Sequence, residues 1–144
     1  MGRPLTESVL VDVAAAVKTA WNPAQIEIDR AQIAADNFPY ANVAIVSLTR
    51  MSGSPTMQTY MYEIQITGRF AYPATSTSYL GTEKLDRAND LIDALMASTT
   101  LKAPIYGTLQ DVPRIEFGEQ DGTSDRAFEI RAIYQIAITG TMRP

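Results

Sequence analysis

Glu63, Glu116, Glu119 and Glu129 are the side chains of this sequence that could do acid–base chemistry together, since histidine and cysteine are both absent and carboxylates are what is left. Glu116, Glu119 and Glu129 would come near one another if the strands read at Arg114–Glu119 and Phe128–Ile138 pair, and Glu63 could lie on the same sheet. Glu63 and Glu129 fall on odd positions, opposite an apolar even set, which assigns them to the more exposed face. Arg69 and Arg131 share their parity, so ion pairing is the simpler reading.

Other chemistries are excluded by residue type. Without histidine or cysteine there is no serine triad of the common kind, no Cys–His dyad and no Cys- or His-based metal site. The eight glycines never fall into a phosphate-cradling loop. Asp121, Thr123 and Asp125 imitate the first ligands of a calcium loop, but Arg126 stands where its glycine belongs and Ala132 where its closing glutamate belongs. The expectation is a chain with no catalytic, cofactor-binding or metal-ligating residues, and not an enzyme.

Net charge narrows the partners. Sixteen acidic against twelve basic residues give −4, which argues against a sequence-independent grip on DNA or an anionic membrane, though not against DNA passing nearby. The absence of cysteine suits a reducing cytoplasm. Met1–Thr6 lacks the apolar stretch of a signal peptide, and no run of apolar residues is long enough to span a bilayer, so the protein is expected to stay where it is made. A length of 144 residues fits one domain, 1–144.

The elements that must position these residues follow from periodicity. Even positions are apolar from Tyr60 to Phe70, with Gly68 among them, and again from Phe128 to Ile138, which makes two strands with one face on a core. At about 3.3 Å per residue each run reaches roughly 35 Å, well beyond the usual strand, so part of the sheet is expected to meet other subunits. Leu5, Val9, Val13, Val17 and Trp21 recur every four residues as a helix closed by Asn22-Pro23. Ile26 and Ile28 mark a short strand, and Val43–Arg50, apolar on both parities, reads as a central strand covered on both faces. Thr82 is the expected cap of a second helix whose stripe is Leu85, Ala88, Leu91, Ile92, Leu95 and Met96. Ile105–Leu109 reads as a short strand or turn, and Asp121–Asp125 as the turn into the last strand. The order predicts an α+β domain, a largely antiparallel sheet with both helices packed on one face.

Met51, Met57, Tyr72, Tyr79, Ile105 and Tyr106 fall in predicted loops or at element ends, where an apolar side chain has no evident core position. They are the candidate protein-interface residues.

A short acidic chain that opens Leu5-Thr6-Glu7-Ser8-Val9-Leu10 into a helix, continues through a Val43–Arg50 and Tyr60–Phe70 hairpin and a Thr82–Met96 helix, and closes on a Phe128–Thr139 strand resembles the tail terminator (tail completion) proteins of long-tailed bacteriophages. The resemblance covers most of the chain and rests on the order and length of elements. It implies a ring, usually hexameric, that binds the last ring of the tail tube, stops its polymerisation and offers the surface for head joining. It further implies a tube protein and a head–tail connector or stopper as partners, DNA passing without specific binding, a place at the head-proximal end of the tail, and no cofactor. Other readings stay open: a stopper, connector or tube ring of the same kind of particle, a small α+β ligand-binding module, or a carboxylate hydrolase.

Overall fold

A computed structural model describes residues 5–28, 39–53, 58–72, 79–98, 101, 110–121 and 126–140. Seven elements follow in order: α1 (Leu5–Trp21), β1 (Gln25–Ile28), β2 (Tyr40–Gly53), β3 (Gln58–Tyr72), α2 (Leu80–Ala97), β4 (Gln110–Asp121) and β5 (Arg126–Gly140). The strands form one sheet in the order β1-β2-β3-β5-β4, antiparallel except for the β1–β2 pair. This is the expected α+β architecture.

The two alternating runs are hydrogen-bonded neighbours in phase. Tyr62 lies opposite Ile136, Ile64 opposite Tyr134, Ile66 opposite Ala132 and Phe70 opposite Phe128, all buried. Both strands therefore turn their apolar sets to the same side, where the helices pack. Val9, Val13, Val17 and Trp21 of α1 and Ala88, Leu91 and Leu95 of α2 fill that side, as their helical spacing requires.

A glycine sets how closely α1 approaches. Gly68 occupies a core position, and a Cβ there would lie 2.6 Å from the Trp21 ring, so the indole packs into the space that a side chain would fill. The indole edge meets Phe70 at 5.0 Å, Phe70 stacks on Phe128 at 5.2 Å, and the Arg87 guanidinium lies 4.6 Å over Phe70. Trp21 Nε1 donates to the Arg87 carbonyl at 2.8 Å, which satisfies the buried indole and joins the two helices. At the end of α1, Asn22 takes a positive φ of 44° and its N–H bonds the Lys18 carbonyl at 2.9 Å, a left-handed ending that asparagine tolerates, with Pro23 preventing continuation.

Three local readings are corrected. β2 is not central: β3 is, and β1 covers the outer side of β2 only from Tyr40 to Val43. Its apolar residues on both parities come from a bulge between Ile45 and Ser47, which moves the phase so that Val43, Ile45 and Leu48 lie opposite core-facing positions of β3 while Val46 is left exposed. Helix α2 starts ahead of Thr82. Its first bond runs from Glu83 N to Tyr79 O, so Tyr79 is the cap residue, with no side-chain cap bond, and Thr82 lies inside the first turn. Leu85, placed on the buried stripe by spacing, is exposed. The predicted Ile105–Leu109 element and most of the Asp121–Asp125 turn lie outside the described residues.

Two pairs of substitutions test this packing. Ile64→Asp buries an unpaired carboxylate and should unfold the domain, whereas Gln65→Asp, on the other face, should cost less than about 1 kcal/mol. Gly68→Ala should cost about 1–3 kcal/mol by overpacking against Trp21, while Gly118→Ala, whose nearest neighbour is 3.7 Å away, should stay within about 0.5 kcal/mol. Urea melts measure all four, and equal losses within either pair would contradict the assigned faces.

Candidate functional surface

The sheet face opposite the helices carries the polar residues, and they form a bonded layer. Arg69 Nε pairs with Glu129 Oε1 at 3.2 Å, and Arg131 Nε with Glu129 Oε2 at 3.4 Å. Arg114 pairs with Glu116, Gln135 donates to Glu63 at 3.4 Å, and Gln65 donates to Thr67 at 3.3 Å. On the β1 side, the buried Tyr40 hydroxyl and Gln25 Nε2 each donate to Glu27 at 2.9 Å. Thr67 is buried and Glu63, Gln65, Arg69 and Glu129 are half-buried, so this face is less open than alternation alone predicts.

The four glutamates singled out by chemistry do not converge. Glu116 lies opposite Arg131, Glu63 opposite Gln135, Glu129 between Gly118 and Arg69, and Glu119 opposite Phe128. Each of Glu116 and Glu129 has an arginine partner, the arrangement of a charge-compensated sheet surface. Among the described residues no group of three acidic side chains is placed to hold a metal ion.

The candidate interface residues divide three ways. Tyr79 is 84% exposed ahead of α2. Met51 and Tyr72 lie within strands β2 and β3 and not in loops, because those strands run further than their alternation shows. Met57, Ile105 and Tyr106 lie outside the described residues.

Spacing missed another set of exposed apolar residues. Val46 (49%) and Leu48 (45%) are exposed on β2, Leu85 (60%) on α2, and Ile28 and Phe117 at the two edge strands. Phe117 lies under the Lys84 ammonium, 6.0 Å from the ring centre, and Leu85 is the next residue. Their sequence signal was ordinary: each matched a core parity or stripe, and only strand order shows that the elements end at an edge.

The fold then allows comparison with solved structures. The chain superposes at a TM-score of 0.53 and 14% identity, over 95% of its own length and 96% of the other chain, on a chain from "Virion of native gene transfer agent (GTA) particle". The likeness is one of fold. No family model and no curated protein matches the sequence.

Tyr134 supplies a measurable electrostatic signature. Its hydroxyl donates to Gln110 Oε1 at 2.6 Å, tying β5 to the start of β4, and burial pushes the phenol well above its usual value of 10.0. The unfolded chain releases this proton near the usual value while the folded chain retains it, so the group should lower stability as pH rises past about 10 and have no such effect below. Tyr134→Phe should flatten that decline relative to the unsubstituted protein, measured as unfolding free energy between pH 8 and 11. Parallel curves would contradict the assignment.

Proposed function

We propose that the chain is a structural, non-catalytic protein of a phage-type particle, acting as a tail terminator. In this reading it forms a ring, hexameric as in the family it resembles, caps the last ring of the tail tube, ends polymerisation and presents the surface on which the head is joined. The observation that carries the reading is the likeness of fold along nearly the whole of both chains to a chain of a gene transfer agent virion. Charge and surface agree with it. A net −4 disfavours holding a duplex that has to slide through a ring, and Glu116 and Glu129 are engaged with arginines and Glu63 with an amide. The partners are further copies of the chain, a tube protein and a head–tail connector or stopper, at the head-proximal end of the tail.

Electron micrographs of a lysate lacking the protein test this directly. Filled heads and unjoined tubes longer than normal are expected. Tails of normal length already attached to heads would rule the role out, and unattached tails of normal length would favour a stopper or connector. Glu63→Gln and Glu116→Gln should leave joining intact, since no step consumes a proton from either.

A further inference from the structure

The sheet has an uncovered stretch at each side, and the two stretches complement one another. Beyond Val43 no described strand lies on the outer side of β2, which continues to Gly53, and none lies outside β4. β2 runs antiparallel to β3, β3 to β5 and β5 to β4, so β2 and β4 point in opposite directions. A second copy added beside the first in the same orientation therefore brings β4 of one against β2 of the other as antiparallel neighbours. Apolar residues are exposed at both sites, Val46 and Leu48 on one and Phe117 and Leu85 on the other.

Charge selects the way in which two copies meet. Arg50 is exposed on the uncovered part of β2, whereas the opposite side carries exposed Asp86, Asp90 and Asp93 on α2 and Asp111 on β4. The basic groups there are engaged, Arg114 with Glu116 and Lys84 with the Phe117 ring. A two-fold dimer would place arginine against arginine or aspartates against aspartates; head-to-tail docking pairs unlike charges. Two bulges in β2 and Pro113 in β4 keep both edges from accepting an arbitrary strand.

We propose that the β2 edge around Val46, Leu48 and Arg50 docks onto the β4–α2 edge around Phe117 and Leu85 of a second copy, head to tail. This names the self-interface of the ring reading and rests on that reading for its biological setting. Because the chain has no cysteine, Leu48→Cys and Phe117→Cys introduce unique thiols at exposed positions. The two variants, each first shown to melt like the parent, are mixed and treated with a short bis-maleimide, and the native mass of the parent is measured alongside. A dominant Leu48→Cys/Phe117→Cys cross-linked product, with an oligomeric parent, supports the proposal. Cross-linking mainly within either variant alone, or a parent that stays monomeric at high concentration, overturns it. The tail reading is judged separately in the lysate, where normal attached tails remove it without touching the interface.

Discussion

Fifteen consecutive residue pairs join β3 to β5 with no break in register, and the rest of the molecule is organised on that ladder. A slip of one residue would turn Ile64 and Ile66 away from the helices and bring Glu63 and Gln65 in, so the two alternating runs hold one another in phase. The pairings on either side, β2 with β3 and β4 with β5, each contain a shift, and irregularity is thus confined to the outer strands. Trp21 joins the helices to the ladder, fitting over Gly68 and bonding the backbone of α2.

The same ladder leaves the sheet longer than its cover. Strands of 15 residues reach roughly 50 Å at 3.3 Å per residue, while helices of 17 and 18 residues reach about 26 Å at 1.5 Å per residue. Strand therefore projects beyond what two helices can shield along its axis. Exposed Val46 and Leu48 lie on the part of β2 that β1 does not cover, and an edge of this kind is suited to completion by other subunits.

The residues reveal the fold wherever one periodicity dominates. Even-position alternation identified β3 and β5, four-residue spacing identified α1, and parity placed Glu129 with Arg69 and Arg131. It failed where a tertiary event intervenes. The bulge after Ile45 made a strand with one exposed end look doubly covered, and Leu85 fits the stripe of α2 yet is exposed. The candidate interface was least legible, because an edge is a property of strand order: Phe117 and Leu48 look like core residues until β4 and the far half of β2 are seen to have no described strand outside them.

Residue-resolved amide exchange of the dilute subunit tests the central role of the ladder most directly. The slowest amides should be those of β3 and β5 around Ile64, Ile66, Ala132 and Tyr134, exchanging only with global unfolding, with the β2 residues from Val46 to Arg50 exchanging faster through local opening. Exchange at Ile64–Ile66 as fast as at Val46–Arg50 would contradict it, because the ladder would then open without the rest of the fold.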